Sequence, residues 1–309
     1  MKNEILNNVV LLLFFPLMAF CENQEPDNIF FQKKGYDFPY DLSQPDLIKK
    51  LPGKLEEISG ITFLSAGLLA AVNDEKGNIY TIDIENDEIE KYDFGKDGDY
   101  EDIELVNGEI WVLKSNGQLT RVENYEDEEK NNKTYNTALT SKNDTEGLGY
   151  DPANNRLLIA CKASSTIKKE ETANPEKAIY AFGMKDKKLS KSPVFKVNEA
   201  DMSKNTGKLP AWYLKLTNFF TGQVNSFSRF SPSGVAVHPV SGNIYVISAS
   251  DNYLVVLDRK GKYQHINILD KMLFPQPEGI CFSPDGELYI SNEANGSAAT
   301  LLKFISEKH

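Results

Sequence analysis

The chain has 309 residues, with 34 basic and 45 acidic side chains, a formal net charge of -11 and a pI near 5.0. A surface this acidic repels phosphate backbones, and with no concentrated basic stretch in the sequence, nucleic-acid binding is excluded. Apolar residues at 40% and charged residues at 26% fit a soluble globular protein with a core that needs no staples, and three cysteines cannot form a disulfide framework.

Residues 1–21 read as an export signal. Lys2 supplies a thin positive start, and Val9 to Phe20 is an apolar run interrupted by Pro16. The run is too short for a bilayer, which needs about 20 residues, and suits the apolar region of a signal peptide. Leu17-Met18-Ala19-Phe20-Cys21 is similar to a bacterial lipobox, which would make Cys21 the lipidated first residue of the mature chain. Phe20 stands where a small residue is usual, so ordinary signal cleavage is the alternative. Residues 22–40 are polar and read as a tether. The expected address is the bacterial cell envelope, either anchored to a membrane by lipid alone or periplasmic.

From residue 41 to 309 the chain is expected to form one β-rich domain built on a repeat. Ser59-Gly60-Ile61, Glu101-Asp102-Ile103, Glu146-Gly147-Leu148, Ser233-Gly234-Val235 and Glu278-Gly279-Ile280 each open an apolar alternation. A turn and a second strand follow each, and a third strand can be read after that. The turns carry strong turn chemistry, as in Asp151-Pro152 and Ser283-Pro284-Asp285-Gly286. The repeats start 42, 45, 87 and 45 residues apart. A period near 44 residues with several short strands is the signature of a β-propeller blade.

The long step leaves room for a sixth blade. Its remainder, however, has no strand alternation, and Trp212, Leu216 and Phe219 fall at helical spacing. Five blades are therefore preferred to six, with a helical insertion at about 198–228. The last unit lacks an outer strand, and Asp46 to Leu51 is strand-like without a partner; pairing the two would close the ring and cover an edge.

Several stretches resemble one known family. Leu55-Glu56-Glu57-Ile58-Ser59-Gly60-Ile61, Asn73-Asp74-Glu75-Lys76-Gly77 and Gly98-Asp99-Tyr100-Glu101-Asp102-Ile103 are similar to the SdiA-regulated, or YjiK-like, bacterial propellers. So are Ser231-Pro232-Ser233-Gly234 and Pro277-Glu278-Gly279. The likeness runs from about residue 45 to 305, and Asp102 departs from it by occupying a glycine position. The resemblance implies a periplasmic or membrane-anchored propeller. One branch, the calcium-regulated CarP proteins, has been likened to propeller phytases. The family supplies no agreed catalytic residues.

In a propeller the innermost strand starts, and the second strand ends, at the same ligand-binding face. That places Glu57, Asp74, Glu101, Glu146, Asp251, Glu278 and Glu293 there as ligand or metal candidates, with Asp99 and Asp144 beside them. Lys114, Lys162 and Arg229 are the candidates for contacting an anion. Converging carboxylates without His or Cys suit a hard cation such as calcium. The competing reading is structural, with carboxylates accepting amide hydrogens from a neighbouring blade.

Nucleophilic catalysis finds little support. His238 reads as a turn residue and His265 as exposed after a third strand, and no G-x-S-x-G appears. Cys161 and Cys281 fall on strands of different blades and read as buried thiols rather than a disulfide. The aromatics at Phe63, Tyr80, Tyr150, Tyr245, Phe282 and Tyr289 read as packing between blades. The expectation is a monomeric, non-enzymatic propeller binding a small ligand, a cation or an envelope protein. The alternative is a metal-dependent hydrolase, phytase-like or lactonase-like.

Overall fold

Strand alternation in this chain is apolar on both faces. In the segment Leu68–Asn73, Leu69 and Ala71 pack toward one neighbouring sheet while Ala70 and Val72 pack toward the other. A strand buried on both faces belongs in a sheet sandwiched between sheets, which is the condition inside a propeller. The computed structural model describes residues 29–127, 131–167, 176–198, 201–202 and 230–306.

Two strands, β1 (Ile29–Gln32) and β2 (Leu47–Lys50), precede the first blade. Blade one is β3 (Ile58–Ser65), β4 (Leu68–Asn73), β5 (Asn78–Asp83) and β6 (Ile89–Asp93). Blade two is β7 (Tyr100–Val106), β8 (Glu109–Lys114), β9 (Leu119–Glu123) and β10 (Asn131–Tyr135). Blade three is β11 (Thr145–Asp151), β12 (Arg156–Cys161), β13 (Lys177–Gly183) and β14 (Phe195–Val197). Blade four holds β15 (Pro232–Val237), β16 (Ile244–Ser248), β17 (Tyr253–Leu257) and β18 (Tyr263–Ile268). Blade five holds β19 (Pro277–Phe282), β20 (Leu288–Asn292) and β21 (Thr300–Phe304).

Each blade is an antiparallel meander, and the first strand of each contacts the first strands of its neighbours around the axis. The protein is thus an all-β, five-bladed propeller. The ring closes as the sequence suggests: β2 pairs with β21, from Leu47 opposite Lys303 to Lys50 opposite Thr300. The expected helical insertion lies almost wholly outside the described residues, as do the signal segment, Cys21 and Arg229. Among the described residues no helix is long and apolar enough to cross a membrane.

The buried apolar side chains fall into five clusters, one for each interface between adjacent blades. Fully burying one Leu, Ile or Val side chain stabilises the fold by about 1.5–3 kcal/mol, so these interfaces dominate the stability. Cys161 sits in the interface of blades two and three, and Cys281 in that of blades five and one. Both are free and buried, as expected.

The structure differs from the sequence reading at the N-terminus. Strand β1, inside the segment read as a tether, pairs with β18 and gives blade four a fifth strand. The chain then lays Tyr36, Phe38 and Tyr40 over this blade. Phe38 stacks on His265 with ring centroids 4.1 Å apart, and Tyr40 donates to the Gly286 carbonyl at 2.6 Å. His265 is therefore fully buried on β18, not exposed, because these aromatics cover it. His238 is a turn residue, its Nδ1 accepting from the Val240 and Ser241 amides.

Candidate functional site

The Ser-Gly or Glu-Gly at four repeat starts, and the Glu101-Asp102 at the second, have a structural meaning. On all five innermost strands the pairing to the second strand slips there: between Ile58 and Ile61, Tyr100 and Asp102, Thr145 and Gly147, Pro232 and Gly234, and Pro277 and Ile280. Each slip leaves one residue extra, a β-bulge, and bulges re-aim side chains at sheet edges and sites. In blades two, three and four the extra residue is Glu101, Glu146 and Ser233.

The glycines let neighbouring blades approach. A Cβ on Gly234 would stand 2.6 Å from the Glu278 carbonyl oxygen, and one on Gly279 would stand 2.8 Å from that of Ser59. At Asp102, where the repeat lacks its glycine, the carboxylate does the joining itself. It accepts the Leu148 amide of blade three at 2.5 Å and the Ile103 amide at 2.8 Å.

Above this bulge layer lies a funnel mouth crowded with carboxylates. Glu146 holds the Lys162 ammonium at 2.9 Å. Burial, then the charges of Glu146 and Asp99, push Glu101 up to about 9, against a smaller opposing pull from Lys162. Glu278 is pushed up to about 8 by burial with Glu146 adding, although Gln276 donates to it at 3.1 Å. Gln276 also donates to Glu293, whose own carboxyl is raised by burial and then by Asp74 and Glu57.

Asp74 reaches about 6 through burial and the charges of Glu57, Glu75 and Asp99, and its Oδ1 is buried without a hydrogen-bond partner. Burial raises Glu146 as well, outweighing Lys162. Burial opposes the Lys162 charge, but Glu146 outweighs that and holds its ammonium above the ordinary lysine range. Like charges this close resist joint ionisation, so the mouth keeps protons near neutral pH until something positive enters.

The structure thus gathers Glu57, Asp74, Glu101, Glu146, Glu278 and Glu293 with Lys162, from four of the five blades. Asp99 and Asp144 join them; Asp99 accepts from the Ser115 hydroxyl. Lys114 is brought to the same face but lies over the Tyr100 ring, 4.4 Å from its centroid. Asp251 stands in the turn after β16, and no described interaction links it to the others. The carboxylates line the funnel rather than closing on one point. Among the described residues there is no group of three His, Cys, Asp or Glu side chains that could hold a metal ion.

Sequence reasoning missed Gln276, which ties Glu278 to Glu293. Its only signal was its place next to Pro277-Glu278-Gly279. It also missed Glu104, a carboxyl at a repeat position held elsewhere by Thr62, Gly149, Ala236 and Cys281.

Comparison with solved structures returns propellers at low identity. Virginiamycin B lyase from Staphylococcus aureus is 14% identical, with 82% of this chain and 72% of that chain covered and a TM-score of 0.44. The PQQ-bound aldose sugar dehydrogenase from Streptomyces coelicolor is 12% identical, covering 84% and 99%, at 0.47. A putative gluconolactonase is 14% identical, covering 84% and 78%, also at 0.47. No curated protein sequence matches significantly. The family model described as SdiA-regulated matches residues 40–209 and 224–296, which span the ring-closing strand and all five repeat starts. The chain belongs to the SdiA-regulated family.

Proposed function

We propose that this protein is an exported, lipid-anchored binding propeller whose funnel face receives a positively charged small ligand. One observation carries the reading: carboxylates from four blades line a mouth where Lys162 is the one ammonium described in an ion pair with them, Lys114 lying over the Tyr100 ring. A cation that enters a partly desolvated funnel lets these carboxyls ionise and pairs with them, and the acidic field around the mouth also speeds its arrival. An organic polycation suits the spread of the carboxylates better than a bare metal ion, which would need its ligands drawn to one point.

Hydrolysis of phosphate esters is the weaker reading. A substrate rich in negative charge would meet repulsion here unless metal ions came with it. Export and anchoring rest on residues 1–21, with Cys21 as the lipidated position. Replacing it, Cys21→Ser, is expected to move the protein from the membrane fraction to the soluble one. An unchanged distribution would favour ordinary cleavage.

The binding claim is tested by calorimetric titration of the mature protein with spermidine and, separately, with calcium. Spermidine is expected to bind, and Glu101→Gln with Glu146→Gln to weaken it at least about tenfold. Absence of heat with either cation, or an undiminished affinity in the double variant, would overturn it.

A further inference from the structure

The axial channel has a second mouth, at the far ends of the innermost strands. The fifth residue of each repeat forms a ring there: Phe63, Leu105, Tyr150, Val237 and Phe282. They surround a cavity of about 210 Å³ in which every blade is represented. The residue before each is small in four blades, and in blade two it is Glu104. The pocket therefore has apolar and aromatic walls with one carboxyl among them.

We propose that this pocket binds a small primary ammonium ion with a short apolar body, the ammonium on Glu104 and the carbons against the rings. The carboxyl is held in place by three donors. Thr62 Oγ1 and the Leu105 amide each donate to Oε1 at 3.0 Å, and the Tyr150 amide donates to Oε2 at 3.0 Å. A carboxylate offers about four lone-pair sites, so one remains, on Oε2.

The three donors are neutral, and no described cation pairs with Glu104. Its titratable neighbours are Asp102 on its own strand and the Cys281 thiol of blade five. Neither can neutralise it, and burial holds the thiol well above its ordinary range. Burial also raises Glu104 itself, to about 7. A charge fixed by hydrogen bonds but lacking a counter-ion, at the base of a pocket, asks for a cation that can also donate.

The wall chemistry selects among cations. Aromatic faces attract ammonium groups and bury carbon, whereas a hydrated metal ion would lose water without gaining oxygen ligands. The volume lies below the roughly 300–1,000 Å³ typical of drug-sized ligands, which limits the body to a few carbons.

The test is site-resolved. The mature protein is titrated with n-butylammonium and with 1-butanol, its near-isostere without charge, while backbone amide resonances are followed. The proposal expects butylammonium to shift the Leu105 and Tyr150 amides with an affinity at least about tenfold higher than butanol. It expects Glu104→Gln to erase that preference, and Glu101→Gln with Glu146→Gln to leave it intact. Equal affinities for the two probes would overturn it. So would butylammonium shifts confined to the funnel around Glu101 and Glu278, or a preference that survives in Glu104→Gln. Should Glu104→Gln fail to fold, the two probes on the unaltered protein still decide. Because the funnel variants are read separately, failure here is distinguishable from failure of the funnel reading.

Discussion

Glu101 is the residue on which the funnel's electrostatics turn. With its carboxyl pushed up to about 9 by burial and by Glu146 and Asp99, ionising it above neutral pH works against the folded state. Glu101→Gln keeps the shape and removes the charge. In the absence of ligand, at pH 8.5, it is expected to raise the melting temperature on the order of 2–4 °C, as about 1 kcal/mol would in a domain of this size. A lower melting temperature would show instead that the carboxylate accepts structurally needed hydrogen bonds. Lys162→Gln should act in the other direction, since it leaves Glu146 without its partner. With the ammonium about two-fifths exposed, the loss is expected at about 1 kcal/mol, read by urea unfolding at pH 7.

The bulged innermost strand is the element that ties sequence to site. Its glycine is required by close approach between blades, so Gly234→Ala should destabilise by about 1–3 kcal/mol: the atom met first is a backbone carbonyl, which cannot swing aside. A neutral result would mean the blades have slack at the axis. Four repeats opening on Ser-Gly or Glu-Gly and one on Glu-Asp made the blades, the ring closure and the funnel carboxylates legible in advance, because spacing and alternation set strand ends directly. Asp251 follows by analogy with its sisters, but β16 stops at Ser248, so Asp251 stands in the turn three residues past the strand end. Strand β1 was illegible since four residues without alternation resemble a tether until the edge of β18 is there to pair with. His265 was misread for the same reason, as its cover arrives from the distant 36–40 segment. Phe38→Ala removes that cover. It should cost about 1–3 kcal/mol at pH 7. The deficit should shrink as pH falls, because a hydrated His265 no longer resists protonation.

Across the whole molecule the titrating groups pull in opposite directions. Burial lowers His265 to about 4, below its unfolded value near 6.5, so its contribution is lost as pH falls through that window. Asp151 adds to the acid-side loss. Burial raises its carboxyl, but Asn154, Arg259 and Arg156 outweigh that and hold it below the ordinary range; it bridges blade three to Arg259 of blade four at 2.7 Å. On the alkaline side Asp74, Glu104, Glu278 and Glu101, raised to about 6, 7, 8 and 9, hold protons that the unfolded chain has already released. The folded state binds more protons there, so stability must fall as pH rises from about 4.5 to 9. These four carboxyls outweigh the single His265, so the unliganded protein should be most stable near pH 4.5 and lose stability as pH rises from there. The most direct measurement is therefore the unfolding midpoint of the mature protein at pH 6 and pH 8.5, without added cation and with spermidine. A clear drop at pH 8.5 that spermidine reverses is expected, with a smaller drop in Glu101→Gln with Glu146→Gln that spermidine leaves largely unchanged. A midpoint that is flat or rises between the two pH values, and that ignores spermidine, would contradict a funnel built to receive positive charge.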